Sequence, residues 1–121
     1  MAKKSSLERK FDSLAKMFKL PEYVEQYKFA PKRKFRFDIA FPDAFLAIEL
    51  DGGIYGGGRH TRGVGYENDC VKGNLAIELG WVVLHYTPNH LKKDPAGVIV
   101  QILRVLKQRK EIGESKYPDE A

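Results

Sequence analysis

Apolar residues recur at helical spacing near the start of the chain and again near its end. The first pattern predicts a helix from about residue 6 to residue 19, which ends before Pro21. Ser5 and Glu8 fit a capping box at the start of this helix. A second pattern, between residues 98 and 106, predicts a last amphipathic helix with basic residues on its outer face.

Alternating and β-branched segments predict strands between these helices. The clearest runs from Phe35 to Phe41, where the four odd-numbered apolar residues are expected to share one face. A short strand over about residues 24–30 precedes it. After a turn at Pro42-Asp43, a third strand ends in Glu49-Leu50-Asp51. Residues 81–86 form a buried fourth strand.

A helix is predicted over residues 66–79, before the fourth strand, with Gly80 as its C-cap. Its expected core stripe consists of three apolar residues four positions apart: Val71, Leu75 and Leu79. His85, alone in the fourth strand, is expected to be a packed residue. Residues 88–95 are expected to form a loop.

The segment Gly52–Gly65 is predicted to be a loop of about 14 residues, and it holds seven of the chain's 11 glycines. Four consecutive residues in it are candidates for nucleic-acid contacts: Arg59, His60, Thr61 and Arg62. Directly after the acidic strand, such a loop would close over a phosphate backbone. The alternative is an exposed β-ribbon or insertion without a direct role.

The element order, α-β-β-β-α-β-α, predicts one compact α/β domain. A chain of 121 residues with 43% hydrophobic residues is long enough for one core. That core is expected over about residues 6–111, with a polar, fraying tail over residues 113–121.

The charge distribution favours a polyanionic partner. The net charge is +5, and residues 1–37 carry 11 Lys and Arg against 4 Asp and Glu. A basic turn, Lys32-Arg33-Lys34, lies beside Phe35 and is followed by Arg36. Basic residues interleaved with aromatic ones suit a nucleic-acid backbone, although a solvated turn would have the same composition.

Cysteine and hydropathy patterns exclude several classes of protein. A single cysteine, Cys70, rules out an internal disulfide and fits a reducing compartment. The histidines and this cysteine lack zinc-finger spacing. No apolar run has the length needed to span a membrane. A cytoplasmic protein is therefore expected.

Three carboxylates fall on the second and third strands. Asp38 lies in the middle of one strand, and Glu49 and Asp51 share a face of the next, about 7 Å apart. Because a short turn makes the strands antiparallel neighbours, Asp38 is expected beside Glu49 or Asp51. Bound Mg²⁺ or Mn²⁺ would relieve the repulsion among them. The alternative is a solvated edge strand with its acidic residues outward.

In combination, these features resemble the PD-(D/E)XK nucleases, and more closely small phage-type endonucleases related to very short patch repair endonucleases and archaeal-type Holliday junction resolvases. Four stretches carry the resemblance: Arg36 to Pro42, Ala47 to Gly53, Gly58 to Gly63, and Asn68-Asp69 through Lys72 to Gly80-Trp81. It implies a restriction-endonuclease-like αβββαβ core, with a mixed central sheet flanked by helices and an additional C-terminal helix.

The resemblance also implies residue roles. Asp38 would be the motif aspartate and Glu49 the motif acid. One or two Mg²⁺ ions would be held by these two residues, with Asp51 and the carbonyl of Leu50 as further ligands. Glu8 would be the helix-one glutamate that orients the attacking water or its metal, unless it serves only in the capping box. Cleavage would leave a 5′-phosphate.

One position departs from the family pattern. The lysine two residues after the motif acid is replaced by Asp51. Lys72 from the helix or His60 from the loop would take its place, and the sequence does not rank them. Asp69, three residues before Lys72, would hold this lysine or form only a surface salt bridge with it.

The expected function is that of a Mg²⁺-dependent DNA endonuclease, most specifically a Holliday junction resolvase, located in a bacterial or phage-infected host cell. Symmetric cutting of two strands would require a homodimer. A mismatch or nicking repair endonuclease is the alternative within the class. An inactive DNA-binding module on the same fold is the alternative outside it, and an RNA-directed nuclease is a third.

Overall fold

Four strands and four helices make up the described part of the chain. The structure is a computed structural model and describes residues 4–51 and 63–115. A short 3₁₀ helix, Pro42–Ala44, joins the second and third strands. The elements in chain order are α1 (Ser6–Met17), β1 (Val24–Lys28), β2 (Arg36–Phe41), β3 (Leu46–Leu50), α2 (Gly63–Glu78), β4 (Val82–Tyr86), α3 (Pro88–Lys93) and α4 (Pro95–Ser115).

Helix α1 begins with the predicted capping box. The Ser5 hydroxyl accepts the backbone N–H of Glu8 at 3.0 Å, and the Glu8 carboxylate accepts that of Ser5 at 2.9 Å. The helix ends two residues before the predicted boundary, in a Schellman motif whose left-handed residue is Lys19, with φ of 56°. The N–H of Leu20 there donates to the carbonyl of Ala15 at 2.9 Å.

The strands form one mixed sheet in the order β1-β2-β3-β4. The first two neighbouring pairs are antiparallel, and β3 and β4 are parallel. A parallel pair requires a crossover, and α2 lies within it. The predicted α/β class and the additional C-terminal helix are therefore confirmed.

The sheet separates two apolar clusters. The larger cluster joins it to α1, α3 and α4, and its fully buried members include Phe11, Ile48 and Ile102. The smaller cluster lies against α2 and contains Ala76 and Trp81. Helices therefore cover both faces of the sheet.

The prediction that the odd-numbered residues of β2 share one face is wrong. Ile39 and Phe41 belong to the larger cluster, but Phe37 belongs to the smaller one. The Phe37 ring stacks on Phe29 with centroids 4.0 Å apart and lies 4.9 Å from the ring of Trp81. The alternation of faces therefore breaks between Phe37 and Ile39.

The break coincides with an unusual backbone conformation in β1. Gln26 has a left-handed φ of 49°, which is rare for a residue other than glycine and rarer still within a strand. The register places Gln26 opposite Asp38. In both strands the side chains therefore change faces at this point, and the pairing register of the strands stays the same.

The predicted core stripe of α2 is right only at Leu75, which packs against the smaller cluster. Val71 is 41% exposed and Leu79 is 38% exposed, whereas Ala76 is fully buried in the cluster around Trp81. The small side chain of Ala76 lets the helix approach the sheet closely, and larger apolar neighbours then face outward. The predicted C-cap is confirmed, since Gly80 has a left-handed φ of 91°.

Three predicted boundaries also change. Helix α2 begins at Gly63 rather than at residue 66, so the end of the predicted loop is helical. The predicted loop over residues 88–95 contains α3. This helix begins with a capping box formed by Thr87 and His90. Helix α4 continues to Ser115, past the predicted start of the tail, and residues 116–121 lie outside the described residues. None of the described helices could cross a membrane.

Candidate active site

The strands β2 and β3 diverge at one end of the sheet, and two carboxylates lie in the fork between them. Their backbone pairing extends to Ile39 and Ile48. Beyond it, the N–H of Asp38 donates to Oε2 of Glu49 at 2.9 Å, and the N–H of Leu50 donates to Oδ2 of Asp38 at 2.8 Å. Each carboxylate thus accepts a backbone hydrogen bond from the other strand. The predicted adjacency of Asp38 and Glu49 is confirmed.

Glu49 is largely buried, with 13% of its side chain exposed. Burial raises the pKa of its carboxyl group because the charged form loses hydration. The ammonium of Lys72 and the N–H of Asp38 act in the opposite direction. The site therefore holds a carboxylate whose negative charge is only partly compensated by the protein.

Lys72 reaches the fork from α2 and forms an ion pair with Oε1 of Glu49. Its Nζ also lies 5.7 Å from the ring centroid of Phe37. Of the two residues predicted to replace the absent lysine, Lys72 lies beside Glu49, while His60 lies outside the described residues. Lys72 pairs with Glu49 rather than with Asp69, so the predicted surface salt bridge is not formed.

Glu8 is linked to the fork through Gln26, a residue that the sequence analysis did not select. The side-chain amide of Gln26 donates to Oε2 of Glu8 at 2.9 Å and makes a longer contact of 3.4 Å with Oδ1 of Asp38. Glu8 also caps α1, and the hydrogen bond from the backbone of Ser5 is the main cause of its lowered pKa. The two predicted roles of Glu8, in the capping box and toward the fork, are therefore compatible. Oε1 accepts the N–H of Ser5, and Oε2 accepts the amide of Gln26.

The sequence carries no clear signal for Gln26. A polar residue between Val24 and Tyr27 in a short strand is ordinary for an exposed position. Its importance comes from the left-handed backbone, which directs the amide between Glu8 and Asp38. Non-glycine residues in this conformation are concentrated at functional sites.

Asp51 lies apart from the two carboxylates in the fork. Its N–H donates to the carbonyl of Tyr86 at 2.8 Å, and its Oδ2 lies 2.9 Å from Nδ1 of His85 on β4. Among residues 4–51 and 63–115, no group of three or more His, Cys, Asp or Glu side chains is placed to hold a metal ion. The predicted crowding of three carboxylates is therefore wrong, because the parallel neighbour strand supplies Asp51 with a different partner.

His85 is not the packed residue that was expected. Its side chain is 61% exposed, and the hydrogen bond with Asp51 raises its pKa. In the β3–β4 ladder, His85 is the partner of Glu49. The site thus includes an exposed imidazole one strand away from the fork.

The donor set in the fork suits a hard divalent cation. Asp38 and Glu49 offer carboxylate oxygens, and the backbone carbonyl of Leu50 lies at the same strand end. Magnesium is usually bound by one or two carboxylates, with waters and substrate phosphates completing its octahedral coordination. Two carboxylates are therefore sufficient for a site that is completed by a substrate.

The basic turn is exposed. Lys32, Arg33 and Lys34 face solvent, and the Arg33 guanidinium lies 4.5 Å from the ring centroid of Phe35. Arg36 is exposed as well. Exposure fits a solvated turn and a nucleic-acid contact equally, so the binding role stays a prediction. The candidates in the glycine-rich segment, Arg59, His60, Thr61 and Arg62, lie outside the described residues.

A comparison of the chain with protein-family models, curated protein sequences and solved structures gave no significant match.

Proposed function

We propose that this chain is a Mg²⁺-dependent DNA endonuclease with a core of the PD-(D/E)XK type. The observation that carries the proposal is the opposed pair Asp38 and Glu49, joined by reciprocal hydrogen bonds in a strand fork, with Lys72 on Glu49. The element order supports it, because a helix, an antiparallel meander and a parallel crossover to β4 would form the core of such a nuclease.

Each residue of the site has a chemical task in this proposal. Asp38 and Glu49, with the carbonyl of Leu50, would hold Mg²⁺, while Asp51 pairs with His85 on β4. When bound there, the ion would activate a water and offset negative charge on the phosphate. Gln26 keeps the Glu8 carboxylate directed toward the fork, where it would orient the attacking water.

Lys72 would take the place of the motif lysine. Its ammonium group pairs with Glu49, the proposed motif acid. A small movement of the side chain would therefore bring the ammonium from Glu49 to an oxygen of the bound phosphate. A cation at this position would stabilise the charge that develops on the phosphate during attack. His60 remains the other candidate.

The substrate proposed is branched DNA, with a Holliday junction as the leading case and mismatched or nicked DNA as the alternative. The net charge of +5 favours a nucleic-acid backbone. Two symmetric cuts would require a homodimer, and the exposed apolar residue Leu103 on α4 offers a surface for one.

A cleavage assay with Mg²⁺ or Mn²⁺ tests this proposal. It compares a four-way junction, a linear duplex of the same sequence, a mismatched duplex, single-stranded DNA and an RNA duplex. The variants are Glu49→Ala and, as a control, Glu67→Ala, which removes an exposed carboxylate on α2. Paired symmetric cuts on the junction that only Glu49→Ala abolishes would support a resolvase. Single nicks at mismatches would favour the repair branch, and cutting of RNA alone would contradict a DNA enzyme.

A binding-only module is the second candidate, and the Asp51–His85 contact favours it. Asp51 occupies the position of the motif lysine and is directed to β4 rather than to the fork. Calorimetry with Mn²⁺ separates the candidates. The nuclease should take up Mn²⁺, and Glu49→Ala should weaken this uptake. Identical behaviour of the wild type and Glu49→Ala would place the metal elsewhere or exclude it.

A further inference from the structure

A cleft of about 490 Å³ opens between the end of β4, α3 and the first half of α4. No role was predicted for this region from the sequence. Its polar lining consists mainly of basic and amide side chains: His85, Asn89, His90, Lys93, Gln101 and Arg104.

The cleft is positively charged because its cations are not neutralised within it. In the part of the chain that the structure describes, neither Lys93 nor Arg104 forms an ion pair. The one carboxylate in the lining, Asp94, accepts the N–H of Gly97 at 3.0 Å and caps α4. A Cβ at Gly97 would lie 2.1 Å from Oδ2 of Asp94, so only glycine lets the carboxylate sit this close to the helix.

The hydrogen bonds around the cleft leave mainly donors available. Oε1 of Gln101 accepts the Tyr86 hydroxyl at 2.6 Å, which leaves the amide N–H groups of Gln101 for a ligand. Nδ1 of His90 accepts the N–H of Thr87 at 3.0 Å, so the neutral ring carries its proton on Nε2. Cations and N–H donors around a concave surface match the oxygens of a phosphate group.

One residue, His85, links the cleft to the candidate active site. It lines the cleft and contacts Asp51 through Nδ1 at 2.9 Å. Its partner in the β3–β4 ladder is Glu49. The cleft therefore adjoins β4, the strand next to the one that carries Glu49.

We propose that this cleft binds a backbone phosphate of the nucleic-acid strand, next to the phosphate that would be cleaved beside Asp38 and Glu49. The inference rests on the proposed function and extends it, because it fixes the path of the strand across β4 toward α4. Lys93 and Arg104 are the cations that hold the phosphate, and the amide of Gln101 donates to it.

The test measures equilibrium binding of the four-way junction and of the linear duplex in EDTA, between about 50 and 200 mM salt. The wild type is compared with Lys93→Ala/Arg104→Ala. The matched control is Lys107→Ala/Lys110→Ala, which removes two charges from another face of the same helix, beside Pro42 and Asp43. The four replaced residues are all exposed: Lys93, Arg104, Lys107 and Lys110. Thermal melting should therefore show that both variants keep the fold of the wild type.

The cleft variant should bind at least tenfold more weakly at the lowest salt concentration. The slope of log affinity against log salt should fall by about 0.9, since one phosphate contact is lost. The control should keep the slope and affinity of the wild type. Wild-type binding by the cleft variant, or an equal loss in the control, would overturn the inference.

The two proposals fail in different ways. If the wild type cuts no substrate but the cleft variant loses salt-dependent binding, the nuclease function is wrong and the phosphate site stands. If the wild type cuts and the cleft variant binds as the wild type does, only the phosphate site is wrong. Absence of DNA binding by the wild type would overturn both.

Discussion

The ammonium group of Lys72 on α2 pairs with Oε1 of Glu49 on β3, 23 residues earlier in the chain. A cation is thereby supplied to Glu49 from a helix rather than from the same strand. Because Oε2 of the same carboxylate accepts the N–H of Asp38, both oxygens of Glu49 are engaged in the protein alone.

Replacement of this cation should separate metal binding from turnover. In Lys72→Met, which keeps the length and packing of the side chain, Mn²⁺ should bind about tenfold more tightly at pH 8, because a like charge is removed from the site. Cleavage should fall by about 10²-fold or more. Calorimetry and single-turnover kinetics measure the two effects.

The control for this experiment is Lys16→Met, at an exposed position of α1. It should leave both quantities unchanged. Full turnover of Lys72→Met would remove Lys72 from catalysis and leave His60 as the remaining candidate.

The Asp51–His85 pair should make stability depend on pH. The folded pKa of His85 is raised above its ordinary value of 6.5, so the contact stabilises the protein below that pH and the contribution is lost as pH rises through the folded pKa. Asp51→Asn should therefore lower stability at about pH 6 and not above about pH 8. The difference should be only a few tenths of a kcal/mol, because both side chains are largely exposed.

Titration of the imidazole signals by NMR gives the direct measurement. The midpoint for His85 should fall in Asp51→Asn. Asp43→Asn, at an exposed position without a histidine partner, should leave this midpoint unchanged. An unchanged His85 midpoint in Asp51→Asn would show that the contact is absent in solution.

Gln26 and Lys19 form a matched pair for testing the role of the left-handed backbone. Both have positive φ, 49° for Gln26 and 56° for Lys19, but only Gln26 contacts Glu8 and Asp38. Lys19→Gly should stabilise the protein by about 0.5–1 kcal/mol, because glycine adopts this conformation without strain. Its cleavage activity should equal that of the wild type.

Gln26→Gly should instead reduce cleavage while stability changes little, since relief of strain offsets the lost hydrogen bonds. Urea unfolding and the junction-cleavage assay provide the two readouts. A Gln26→Gly variant that cuts at the wild-type rate would show that the amide does not position Glu8.

The orientation of α2 can be tested through stability. Ala76 is fully buried against the sheet, so Ala76→Leu should destabilise the protein by about 1–3 kcal/mol through overpacking. Ile77, 73% exposed on the same helix, should tolerate Ile77→Ala within about 0.5 kcal/mol. If Ile77→Ala destabilised the protein more than Ala76→Leu in urea unfolding, the predicted core stripe with Val71 and Leu79 would be supported instead.

Much of the local structure could be predicted because it depends on short-range chemistry. The capping box of Ser5 and Glu8 and the C-cap at Gly80 each involve groups within a few residues. The adjacency of Asp38 and Glu49 followed from a short turn between alternating strands. The α3 helix was missed, because Pro88 to Lys93 reads as a loop unless the capping role of Thr87 is recognised.

The sequence by itself determined the order of the four strands and of helices α1, α2 and α4, and the two carboxylates of the fork, since spacing and periodicity encode them directly. Only the tertiary structure decided that Lys72 reaches Glu49, that Asp51 turns to His85, and that the chain reverses faces between Phe37 and Ile39. Each of these depends on contacts between separate elements. Their relative twist and distance result from packing, and no local pattern of residues records them.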